Sequence, residues 1–362
     1  MLMQHRIDAA IDAALGDRIV GCVVLVQQAG KPAYARAAGL ADREGQRPMH
    51  LDAIFRLASV TKPIVAAAAL RMVDLGLIGL DDPVTKYLPY FRPKSPDGTV
   101  QDILIRHLLN HTSGLTYRGG GDYARGLDGP LWGFEENLRL IAAEPLVFAP
   151  GKGWEYGMSI DVLGGVIAAV NGTDLAGVVA RYVTGPLNMP DTLFGVSDAT
   201  RLAVPYRDGP PPIRMADFEV VVGSDGGETP FSATRIFEPN APQSGGAGMA
   251  GTAGDVLRLL EALRTDFLTP ATKAAAFANQ IGDLPRGPGD AGKRFSFLGA
   301  LVVDPVAAGT VMPAGALDWG GAWGHNWVID AASETTIVCC TNTLFEGCNG
   351  PFREDIARAV FA

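Results

Sequence analysis

Phe55-Arg56-Leu57-Ala58-Ser59-Val60-Thr61-Lys62-Pro63 leads into Ile64 to Leu70, a run made only of alanine and aliphatic residues. Such a run predicts a buried helix over Val60 to Leu75, with an S-x-x-K pair at its start. Residues three apart share one helix face, with Cβ atoms roughly 5–6 Å apart, so the Lys62 amine can reach the Ser59 hydroxyl. The N-terminal N–H groups and positive dipole end favour an alkoxide or oxyanion there. Pro63 in the first turn costs no hydrogen bond. Burial of this helix is expected to desolvate Lys62 and lower its pKa toward that of a usable base. The plainer alternative is an N-capping serine beside a solvated lysine. No other serine has a lysine three residues on, and no G-x-S-x-G elbow competes for the nucleophile's role.

Upstream, Ile7, Ile11 and Leu15 recur at helical spacing, Ile19 to Val26 reads as a buried strand, and Ala29-Gly30-Lys31 turns into a partner strand over Pro32 to Gly39. Far downstream, Phe295 to Val303, Trp327 to Asp330 and Thr335 to Asn342 read as strands, and Pro351 starts a final helix through Phe361. Between these ends, Ile103 to Leu109, Leu138 to Ala143, Val162 to Val170 and Leu175 to Val183 favour helices, and Arg207 to Gly248 predicts a long Pro/Gly-rich loop or crossover. The expected architecture is an α/β fold of the α+β type. Residues 1–83 and 240–362 form one antiparallel sheet flanked by helices, and 84–239 form an inserted, mainly helical lobe.

Two further segments carry chemistry. In Pro150-Gly151-Lys152-Gly153-Trp154-Glu155-Tyr156-Gly157-Met158, Tyr156 sits in a loop before an apolar helix, where a phenol near a cation can relay a proton. In Leu317-Asp318-Trp319-Gly320-Gly321-Ala322-Trp323-Gly324-His325, the glycines allow close backbone approach, Trp319 and Trp323 are candidate pocket walls, and His325 is an accessory candidate. Alone, each segment also fits ordinary packing. Gly246-Ala247-Gly248-Met249-Ala250-Gly251 fits G-x-G-x-x-G but follows no strand, and is read as a loop capping a helix from Gly254 onward.

Composition narrows the partners. The 362 residues are 48% hydrophobic with a net charge of −9, and no basic run suits nucleic acid. Met1 to Leu15 lacks an apolar signal core and no stretch reaches membrane-spanning length, so a soluble cytoplasmic protein is expected. Cys22, Cys339 and Cys340 lie in strand-like runs and read as small buried hydrophobes, and no metal-ligand spacing is present.

The three segments, in this order and across almost the whole chain, resemble serine hydrolases of the β-lactamase and penicillin-binding-protein superfamily. More closely, S-x-x-K at Ser59, the loop at Tyr156 and W-G-G in place of K-T-G resemble family VIII carboxylesterases. Arg106-His107-Leu108-Leu109-Asn110-His111-Thr112-Ser113-Gly114-Leu115 is similar to another superfamily segment. The resemblance implies a β-lactamase-like fold, Ser59 as nucleophile, Lys62 and Tyr156 as proton-transfer pair, and the Ser59 and Ala322 amides as oxyanion hole. Trp319, Gly320, Gly321, Trp323 and Met158 would bind substrate, and no cofactor is needed. Trp319 replaces the K-T-G lysine and Met158 the Y-x-N asparagine, which points to short-chain, neutral esters as substrates. The same site could instead serve a β-lactam, a D-amino peptide or another amide, and a non-catalytic binding protein is the alternative of a different class.

Overall fold

The computed structural model describes residues 2–117, 133–222, 228–287 and 290–362. Helix α1 (Leu2–Ala14) precedes strands β1 (Gly21–Gln28), β2 (Lys31–Asp42), β3 (Arg47–Pro48) and β4 (Ile54–Arg56). Helices α2 (Thr61–Asp74), α3 (Ile105–Leu109), α4 (Phe134–Ala143), α5 (Ser159–Asn171) and α6 (Leu175–Val179) follow. Next come two small hairpins, β5 (Tyr206–Arg207) with β6 (Ile213–Arg214) and β7 (Phe218–Val222) with β8 (Glu228–Ser232). Then β9 (Ala250–Thr252), α7 (Ala253–Arg264) and α8 (Pro270–Phe277) lead back to the sheet. The chain ends with β10 (Lys293–Phe295), β11 (Ala300–Val302), β12 (Leu317–Gly321), β13 (His325–Asp330), β14 (Thr335–Thr341), α9 (Leu344–Cys348) and α10 (Pro351–Phe361).

The main sheet has eight strands in the order β10-β11-β12-β13-β14-β1-β2-β3, with every neighbouring pair antiparallel. Strand β1 is buried on both faces, and its period-2 alternation sorts its residues between two cores. Cys22, Val24 and Val26 meet Ile7, Ile11, Phe352 and Ile356 from α1 and α10. Val23 and Leu25 face the larger core, to which α2, α5 and α7 contribute. The adjacent Cys339 and Cys340 likewise divide between the two cores. Burial pushes the Cys22 thiol up to about 12, consistent with its reading as a small hydrophobe.

The expected strand Phe295 to Val303 is instead a hairpin. Ser296 donates its N–H to the Gly299 carbonyl at 2.9 Å and its Oγ accepts from the Leu298 and Gly299 amides, so the chain reverses there. The helix expected from Leu175 to Val183 ends at Val179 and continues as a wider π turn over Ala180–Thr184. Among the described residues, no single helix is long and apolar enough to cross a membrane.

Candidate active site

Ser59 lies on a short 3-10 turn, Ala58–Val60, that runs directly into α2. Ala58 has φ +44°, a left-handed conformation that costs a residue with a Cβ about 1–2 kcal/mol. The neighbours over-determine it. Strand β4 pairs with β9, and the Leu57 N–H donates to the Met249 carbonyl at 2.8 Å. The Arg56 guanidinium reaches the Ala233 and Ala203 carbonyls and stacks over Trp323. Burial pushes Arg56 down to about 10.

Lys62 is 4% exposed, and its Nζ donates to Ser59 Oγ at 3.2 Å, Tyr117 Oη at 3.0 Å and the Gly246 carbonyl at 2.8 Å. Those contacts use all three ammonium protons. Burial pushes Lys62 down, but the Tyr117 and Tyr156 oxygens and the Asp161 carboxylate outweigh it and hold the ammonium above the ordinary lysine value. The expectation of a lysine lowered by desolvation is therefore corrected. Cation–π contact with the Tyr156 ring, 4.6 Å away, acts in the same direction.

The Tyr156 loop is held by the segment after α3. The Glu155 N–H donates to the His111 carbonyl at 3.0 Å, and the Gly151 N–H to that of Thr112 at 2.8 Å. A Cβ at Gly157 would lie 2.4 Å from the Leu115 carbonyl, so only glycine lets the two segments touch. Thus placed, Tyr156 Oη donates to Ser59 Oγ at 2.7 Å. Trp319 Nε1 lies 3.4 Å from the same phenol oxygen.

Strand β12 supplies the opposite wall. It pairs with β11 only through Leu317 and Asp318, so Trp319 to Gly321 run on beyond that partner. A methyl at Gly321 would sit 2.3 Å from the Leu57 carbonyl, and one at Gly320 2.8 Å from that of His325. Both glycines are thus packing requirements, and Gly321 lies directly against the turn that carries Ser59. Lys62, Leu109, His111, Ile160, Phe295 and Trp319 help line a cavity of about 10 Å³, room for little more than a water.

Other expected site residues lie elsewhere. Trp323 packs with Phe231 and Phe345 under Arg56, apart from the Trp319 wall, and Ala322 borders the same cluster. His325 is buried edge-on to Phe55, with Nε2 2.7 Å from the Arg56 carbonyl, and burial pushes it down to about 4. Both residues brace the Ser59 turn rather than face substrate. Met158 belongs to the main core immediately before α5.

Four participants were not read from the sequence. Tyr117 and the Gly246 carbonyl complete the Lys62 cage, so the Gly-rich run read as a helix cap lies against that lysine, while Thr252, the residue after that run, caps α7. Asp161 supplies the cage's negative charge and accepts from Ser244 Oγ at 2.5 Å and the Gly246 N–H at 3.2 Å. His111 lies against the Tyr156 ring at 4.9 Å, and burial together with Lys62 and Arg286 pushes it well below the usual histidine value. The H-T-S-G segment was a visible signal for His111, whereas a lone Tyr117 has no pattern to betray it.

This geometry has relatives. Residues 7–359 match the Beta-lactamase family. The chain is 47% identical to Esterase EstB of Burkholderia gladioli, covering 99% of this chain and 95% of that one. It is 30% identical to Lovastatin esterase of Penicillium rubens, over 77% of this chain and 73% of the relative. Among solved structures, EstCE1, a hydrolase with promiscuous acyltransferase activity, superposes with a TM-score of 0.93 at 38% identity, covering 99% of this chain and 98% of that one. The protein therefore belongs to the beta-lactamase family, with the β-lactamase-like fold, and is similar along its whole length to an esterase and to a hydrolase.

Proposed function

We propose that the protein is a serine carboxylesterase that hydrolyses short-chain esters through an acyl-enzyme on Ser59. The observation that carries this reading is the convergence of Lys62 Nζ at 3.2 Å and Tyr156 Oη at 2.7 Å on one hydroxyl. Activity belongs to the form in which this coupled pair has lost one proton. Lys62 and Tyr156, both in contact with Ser59 Oγ, take its proton as a coupled pair while the hydroxyl attacks the ester carbonyl. The oxyanion is held by the Ser59 and Ala322 N–H groups. Tyr156 returns the proton to the leaving alcohol, and water, activated by the same pair, releases the acid. Trp319 borders the acyl chain. No cofactor enters these steps, and the partner is a small ester rather than a nucleic acid or a membrane.

Purified protein is expected to turn over p-nitrophenyl butyrate far faster than nitrocefin at matched concentration, and Ser59→Ala to remove that activity. The reverse preference would establish amide chemistry at the same site. Full activity of Ser59→Ala would sink the assignment, and failure of a fluorophosphonate probe to label Ser59 would favour a binding protein without turnover.

A further inference from the structure

Behind the aromatic wall lies a guanidinium with too few partners. The Arg286 side chain is 5% exposed, and its Cζ sits 4.8 Å from the Trp154 ring centroid, 5.5 Å from that of Phe295 and 5.7 Å from that of Trp319. Phe295 and Trp319 are also walls of the cavity that reaches Lys62. Arg286 Nε and Nη1 are buried without an acceptor among the described residues, as is the N–H of Trp154. Only Nη2 finds a carboxylate, Asp290, at 3.5 Å. A buried donor left unpaired costs on the order of 1–3 kcal/mol, more for a charged group, so three together need an explanation. The surroundings are cationic as well. Lys293 and Arg353 both lie against Asp318, and Arg353 and Arg286 join burial in pushing Lys293 down to about 8. Asp318 and Asp290 offset part of this charge, which leaves Arg286 with one carboxylate contact.

We propose that Arg286, with the Trp154 N–H, forms a second subsite that binds a carboxylate at the far end of the acyl chain, so that half-esters of dicarboxylic acids are preferred over neutral esters of equal length. The inference rests on the reading of Ser59 as the acylated residue, and it replaces the neutral esters expected from the sequence with anionic half-esters. The cation missing from the K-T-G position is supplied from the other side of Trp319. A planar guanidinium stacked on rings can offer its edge for a two-point contact with a carboxylate, and three donors unpaired among the described residues fit a ligand that brings acceptors.

The test compares mono-p-nitrophenyl adipate with p-nitrophenyl heptanoate, corrected for spontaneous hydrolysis. The wild-type protein is expected to show a kcat/KM for the half-ester at least tenfold above that for the neutral ester. In Arg286→Met the ratio should fall by tenfold or more, mostly through KM, and Arg286→Lys should recover part of it. A wild-type ratio at or below one overturns the proposal without any variant, and so does an equal loss on both esters in Arg286→Met, which would make Arg286 a packing residue. If neither ester is hydrolysed, the reading of Ser59 fails first. If only the neutral ester is hydrolysed, Ser59 stands and the subsite falls.

Discussion

Lys62 reaches three oxygens at once, and this fixes the charge state in which the site waits. In the proposed mechanism the phenol oxygen 2.7 Å from Ser59 shares the proton transfer with that amine. Tyr156→Phe is expected to lower kcat by about 10²–10⁴ while leaving the urea midpoint nearly unchanged, and stopped-flow acylation will show the loss in the first chemical step. His325 makes a separate prediction, for stability. Held down to about 4 by burial, it takes up its proton first in the unfolded chain, whose value is near 6.5, so stability falls as pH drops through that window. The loss reaches about 3 kcal/mol for a shift of this size. His325→Gln, which keeps a donor toward the Arg56 carbonyl, should remove that step, and urea midpoints for both proteins between pH 7.5 and 4.5 will show it. Ser59, Lys62 and Tyr156 were legible because each stands in a recognisable local pattern. The sign of the Lys62 shift was not, since an apolar run announces burial but not which oxygens will arrive from Tyr117, Gly246 and Asp161, far away in the chain.

At the scale of elements, the site is a set of backbone segments pressed together. Strand β12 can lie on the Ser59 turn only because Gly321 leaves the Leu57 carbonyl uncovered. Gly321→Ala should push β12 away and open the oxyanion pocket, lowering kcat by roughly 10²–10³ with little change in KM. Unchanged kinetics in this variant would show that the Ala322 amide is not used. The longer helices and the central strands were legible from periodicity, within a few residues at their ends, whereas Arg207 to Gly248, expected as a loop or crossover, contains strands of two small hairpins. The Phe295 to Val303 stretch was misread because a continuous apolar run hides a reversal. What turns the chain is the Ser296 hydroxyl accepting two amides, in a sequence with neither Asn-Gly nor Asp-Gly to mark it. Arg56, Trp323 and His325 were visible as residue types, but only tertiary contact reveals them as the brace behind Ala58.

For the whole molecule, helices α1 and α10 cover one face of the sheet together, with Phe352 fully buried between them. Phe352→Ala should cost about 3–5 kcal/mol, readable as a lower thermal midpoint with ester turnover at 25 °C largely kept in the folded fraction. The sequence showed the β1–β2 hairpin and strands from both ends of the chain in one sheet, but not which C-terminal strand joins β1, because pairing between distant segments leaves no local mark. The observed register joins Val23 to Cys340. That join has a consequence during synthesis. A ribosome working at roughly 5–20 residues per second exposes β1 from about 15 s to a minute before β14 is made. For that interval a flat, apolar strand has one open edge in a crowded cell, where other nascent chains could pair with it. Expression at reduced temperature or with extra holdase chaperone should therefore raise the yield of soluble enzyme, whereas a polar substitution on β1 would not.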